Sequence, residues 1–163
     1  MRILIVYYSK TGRTRRVAKI IKEKLEENGN EVCAHEVKER KDYAKYLLHL
    51  NPRLIYDTLI RKRTEIKHIK INLRDYDLLI LGSPIWYGTV VPAIRAIIEK
   101  FKGIKINTIC FTTSDLDRGY SKKFRRLLEG LGYKVIYNFD VVKKESEKEH
   151  ILRIKEVIKS SQL

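Results

Sequence analysis

Residues 2 to 7, RILIVY, hold four consecutive apolar positions followed by a tyrosine, and three of the four are β-branched. A run that does not alternate with polar residues predicts a strand buried on both faces, as in a parallel sheet. The period then changes. Val17, Ile20, Ile21 and Leu25 recur at helical spacing, and ENGNE supplies a stop before a second strand-like run, VCAHEV. The alternation resumes at YDLLILGS (76–83), ahead of a helix that places Ile94, Ile97, Ile98 and Phe101 on one face, with Pro92 in its first turn and Gly103 past its end. KINTICFTT (105–113) predicts a fourth strand, Phe124, Leu127, Leu128 and Leu131 a further helix, and YKVIYNFDVV (133–142) a fifth strand. Ser146 and Glu149 match a capping box before Ile151, Ile154 and Ile158, which mark a closing helix.

Strands alternating with helices imply βαβ crossovers, hence an α/β doubly wound five-stranded parallel sheet with helices on both faces and a strand order of 2-1-3-4-5. The stretch from 39 to 75 interrupts the rhythm. Ala44, Leu47 and Leu48, then Leu54, Ile55, Leu59 and Ile60, predict helix broken near Asn51-Pro52, so this crossover carries extra helical structure. With no repeat, low-complexity segment or linker, residues 1–163 read as a single domain.

Composition narrows the chemistry. Cys33 and Cys110 each fall inside a strand-like run and read as small buried hydrophobes. His35, His49, His68 and His150 show no ligand spacing, so no metal is expected. No apolar run approaches the roughly 20 residues that cross a bilayer, and no signal peptide opens the chain, which predicts a cytoplasmic protein without membrane contact. Lysine and arginine exceed aspartate and glutamate by 35 to 20, a net charge of +15. Acidic partners are one reading of that excess, and a Lys- and Glu-rich thermophile-like surface is the other.

The predicted topology reverses direction between strands one and three, where doubly wound sheets bind ligands outside the carboxyl ends of the strands. The turn after strand one, SKTGRT, places Ser9, Thr11 and Thr14 around Gly12 as a helix begins. Unpaired amides and the helix dipole favour a phosphate there, although Thr11 or Thr14 as a simple helix cap is the structural alternative. The turn lacks the glycine spacing of dinucleotide folds and of nucleoside triphosphatases, which favours a monophosphate. Strand three ends in GSPIWYGT (82–89), where Trp86 and Tyr87 offer flat faces to an aromatic ring and Gly88 offers backbone to its polar edge.

These residues resemble a known family. SKTGRT (9–14) matches the flavodoxin phosphate-loop pattern Ser/Thr-x-Thr-Gly-x-Thr, and GSPIWYG (82–88) is similar to the flavin-flanking loop of flavodoxin-like proteins. LIYDTLIRKRTEI followed by YDLLILGSPIWYGTVVPAIRAIIEKF resembles a short-chain flavodoxin branch of prokaryotes. The resemblance implies noncovalent FMN. Ser9, Thr11, Gly12 and Thr14 carry over as phosphate contacts, with the amides of Lys10 and Arg13. Ser83, Pro84, Ile85, Trp86, Tyr87 and Gly88 carry over as the border of the flavin ring, with Thr113 and Ser114 of TTSDLDRGY (112–120) on its other side.

The resemblance further implies an electron-transfer protein shuttling electrons between redox partner proteins, with no catalytic acid or base. Flavodoxins are acidic and this chain is basic, which implies a less negative potential or acidic partners. The alternative is an FMN-dependent oxidoreductase on the same fold, either a quinone or flavin reductase or a protoporphyrinogen oxidase. Basic clusters such as RKRTEIKHIK (61–70) and KKFRR (122–126) would suit nucleic acid, but solvated helix faces explain them as well, and nucleic acid is not expected as a partner.

Overall fold

A computed structural model describes residues 1–39, 52, 56, 65–67, 70–142 and 146–160. The first apolar run forms β1 (Arg2–Tyr7), and the helical pattern after it forms α1 (Arg13–Glu26). There follow β2 (Glu31–Glu36), a short 3-10 turn at Leu73–Asp75, β3 (Leu78–Trp86), β4 (Thr89–Val90), α2 (Pro92–Lys100), β5 (Asn107–Thr113), α3 (Tyr120–Gly130), β6 (Lys134–Val141) and α4 (Ser146–Ser160).

The parallel strands stand in the order β2-β1-β3-β5-β6, which is the expected 2-1-3-4-5. The two-residue β4 pairs antiparallel with the end of β3, so the sheet has six strands and not five. Its existence was hidden because Thr89–Val90 is too short to show a period.

The uninterrupted apolar character of β1 has a direct cause. Ile3, Ile5 and Tyr7 join one core with Val17, Ile21 and Leu25 of α1 and Ile154 and Ile158 of α4. Leu4, Val6 and Tyr8 join the opposite core with Ile94, Ile97 and Ile98 of α2 and Phe124 and Leu128 of α3. Both faces are covered, so both parities must be apolar.

Edge strand β2 differs. Only Val32 of its six residues is buried, and Cys33 is exposed, contrary to the expectation of a buried thiol. Among the described strands β2 pairs with β1 alone, so its faces receive less cover. Cys110, central in β5, is fully buried as expected, and burial pushes its thiol well above the ordinary range.

The helical pattern expected from Ala44 to Ile60 lies outside the described residues apart from Pro52 and Tyr56, which are helical. The side chains of Ser146 and Ile151 also lie outside them. Among the described residues no helix is long and apolar enough to cross a membrane.

Candidate functional site

The chain leaves β2 at one edge and returns past β1 to β3, so the reversal of strand order falls between β1 and β3. At their carboxyl ends the backbone closes up, with the Tyr8 N–H donating to the Gly82 carbonyl at 3.2 Å. The turn from Tyr8 to Gly12 then leads straight into α1. Gly12 caps that helix in the left-handed region (φ 94°), and a Cβ built there meets nothing within 4 Å. Backbone conformation, not crowding, therefore demands glycine at this position.

The three hydroxyls of the turn divide in use. Ser9 accepts the Arg15 N–H at 3.2 Å and so caps the helix from outside its first turn. Thr14 is buried, its Oγ1 lying 2.8 Å from that of Thr113 at the end of β5. Thr11 alone is exposed. The amides of Arg13 and Thr14 lie in the first turn, where a helix offers no carbonyl one turn earlier to receive them.

Arginines tie this turn to its neighbours. Arg13 donates to Asp115 at 2.5 Å and to the Val142 carbonyl, clipping α1 to the segments after β5 and β6. Arg15 binds Glu36 through two parallel bonds of 2.7 Å. Tyr7 donates to the same carboxylate, and burial followed by the Glu36 charge raises its pKa. Two hollows meet at Thr11. One of about 680 Å³ lies toward the end of β2, between Lys10, Lys38 and Lys67, and one of about 600 Å³ lies over Gly12, Arg13, Arg16 and Val142.

The predicted loop at 82–89 is mostly strand. Ser83, Pro84, Ile85 and Trp86 extend β3, and a two-residue turn of Tyr87 (φ 49°) and Gly88 (φ 76°) reverses the chain into β4. Two successive positive φ angles belong to the tight hairpin turn that matches strand twist. The expectation that both aromatic rings present their faces divides accordingly. Trp86 is only 7% exposed, edge-on to Tyr8 with centroids 5.5 Å apart, whereas Tyr87 at the turn is 40% exposed.

Ser83 is fully buried, donating to the Pro84 carbonyl and accepting the Val91 N–H, so its hydroxyl fastens the hairpin to the start of α2. Ser114 donates to the Leu116 carbonyl, and its own N–H reaches the Val141 carbonyl. Gly82 carries a role that the sequence did not disclose. A Cβ there would lie 2.3 Å from the tip of the Phe111 ring, on the neighbouring strand β5.

The amide-rich turn suits a phosphate and the exposed Tyr87–Gly88 turn suits a planar ring, so the residues present fit a flavin mononucleotide. The sequence model of the NADPH-dependent FMN reductase family matches residues 1–108, which include both features. The chain belongs to this family. It is 29% identical over 102 residues, 60% of its length, to an NAD(P)H dehydrogenase (quinone) of Archaeoglobus fulgidus, and it spans about half the length of that relative. A flavoprotein of Lactobacillus acidophilus, solved in complex with FMN, superposes over 91% of this chain and 97% of its own with TM-score 0.72 and 25% identity. A flavodoxin from the domain Archaea shares the fold at TM-score 0.64 and 13% identity, over 96% of this chain and 99% of its own. The flavodoxin-like expectation for the fold holds.

Proposed function

We propose that this member of the NADPH-dependent FMN reductase family binds FMN at the first crossover and is an oxidoreductase that passes electrons from NAD(P)H to a quinone or a flavin. The observation that carries the reading is the family match across residues 1–108, within which lie the Thr11–Thr14 turn and the Tyr87–Gly88 hairpin. The quinone-reducing relative and the FMN complex of the Lactobacillus flavoprotein support it from outside the chain. An electron carrier, the first of the two readings offered by the sequence, has less support, because the matching family model and the curated relative are both those of NAD(P)H-dependent enzymes, whereas the flavodoxins are similar in fold alone.

Bound FMN supplies the hydride and electron chemistry. The chain's own residues bind, orient and screen. The amides from Lys10 to Thr14 and the Thr11 hydroxyl hold the phosphate at the positive end of α1. Tyr87 offers a ring to one side of the flavin, and the segment at Thr113 and Ser114 offers backbone to the other. In the net reaction NADPH yields two electrons and one proton as hydride. A quinone takes up those electrons, that proton and one more from water.

Protein purified without added flavin is expected to be yellow and to release FMN on denaturation. Under anaerobic conditions NADPH is expected to bleach it within the dead time of mixing or a few seconds, and a quinone to restore the colour. Bleaching that requires a separate reductase would return the chain to the carrier class.

A further inference from the structure

Resting on the reading of this chain as an NADPH oxidoreductase, we propose that the cleft between the β3–β4 hairpin and α3 receives the 2′-phosphate end of NADPH and so sets the preference for NADPH over NADH. The cleft holds about 400 Å³ and begins at Gly88, beside the expected flavin ring. Its far wall is α3, where Tyr120, Lys123 and Arg126 follow one another at three-residue steps along one side of the helix. At 1.5 Å per residue, Arg126 stands about 9 Å further out than Tyr120. Arg95 of α2, which donates to Thr89, supplies a third cation. No carboxylate is among the described residues that line the cleft.

Charge on α3 is arranged against the helix's own stability. Lys122, Lys123, Arg125 and Arg126 crowd into five positions, and Glu129 answers Arg125 alone. The first turn carries no acidic side chain, so Lys122 and Lys123 also face the positive end of the helix dipole. Like charges three or four residues apart repel. Lys123 Nζ lies 5.4 Å above the Tyr120 ring, and neither Lys123 nor Arg126 forms an ion pair among the described residues. A dianionic phosphate in the cleft would offset that repulsion, and the buried Tyr120 and Phe124 are among the residues that line it.

The test titrates adenosine 2′,5′-bisphosphate and adenosine 5′-monophosphate into FMN-loaded protein by calorimetry at low salt. The bisphosphate is expected to bind at least tenfold more tightly than the monophosphate. In the Lys123→Gln/Arg126→Gln double variant that advantage is expected to disappear with FMN affinity retained, and the ratio of kcat/KM for NADPH over NADH to fall by a similar factor. A Lys105→Gln/Lys134→Gln variant removes the same charge at the amino ends of β5 and β6, outside the residues that line the cleft. An equal loss there would assign the binding to net charge and overturn the site, as would wild-type protein that does not distinguish the two nucleotides. Bisphosphate binding does not depend on turnover. Protein that binds it through Lys123 and Arg126 but is not bleached by NADPH would keep the site and lose the reductase reading, and protein bleached by NADPH with unaltered variants would do the reverse.

Discussion

Thr11 and Thr14 stand three residues apart in one turn and have opposite surroundings. Thr11 is exposed, whereas Thr14 is buried with its hydroxyl against that of Thr113. Replacing Thr11 with alanine is expected to weaken FMN binding by about 1.5–3 kcal/mol, the usual worth of a hydrogen bond to a charged group, and to leave the melting temperature of the flavin-free protein unchanged. Replacing Thr14 with valine keeps the shape but strands the buried Thr113 hydroxyl, at a cost of about 1–3 kcal/mol of stability, readable by urea denaturation without flavin. If both variants lost only affinity, the Thr14–Thr113 pair would have no structural role. The sequence marked these threonines as a group but not their division, because the partner of Thr14 lies 99 positions further on. Gly82 was illegible for the same reason, since its requirement comes from the ring of Phe111 on the neighbouring strand.

At the scale of elements, strands and helices were legible wherever a period had room to repeat, as in β1 and α1. The hairpin had no such room. Asn-Gly is the ordinary signature of its turn, and a tyrosine before Gly88 disguised it. Tyr87 holds φ 49°, a conformation that costs a non-glycine residue about 1–3 kcal/mol. Tyr87→Asn should relax the turn, raising the stability of flavin-free protein by roughly 0.5–1 kcal/mol while lowering FMN affinity through the lost ring. Strain retained at an exposed aromatic is what a binding element would show, and a variant that gained neither stability nor lost affinity would deny the hairpin that role. A second element-scale prediction concerns Tyr133, which precedes β6 and donates to the last-turn carbonyl of Ile98 in α2 at 2.7 Å. Burial first, and then the charge of Glu99, raise its pKa. The folded state therefore keeps a proton that the unfolded chain gives up near its ordinary value of about 10. The associated stability is fully present below pH 10 and falls as pH rises above it, by at most about 1.4 kcal/mol per pH unit. Urea midpoints from pH 8 to 11 should decline, and less steeply in Tyr133→Phe.

For the whole molecule the governing quantity is charge. Net +15 leaves many cations without carboxylates to answer them, and the ion pairs that do form on α1, such as Lys19–Glu23 and Lys22–Glu26, are exposed and worth only tenths of a kcal/mol each. Screening should therefore remove more repulsion than attraction. Between 0.02 and 0.5 M sodium chloride, as the Debye length shrinks from more than about 10 Å to a few ångströms, the melting temperature of flavin-free protein is expected to rise. Phosphate at matched ionic strength should raise it further for two separable reasons. One is its general exclusion from protein surfaces, which acts on any variant. The other is occupancy of the turn at Gly12, which contributes RT ln(1 + [L]/Kd) and saturates with concentration. Only the saturating part should shrink in Thr11→Ala. A phosphate effect identical in the two proteins would mean that the anion feels the molecule's overall charge and not the mouth of the first crossover.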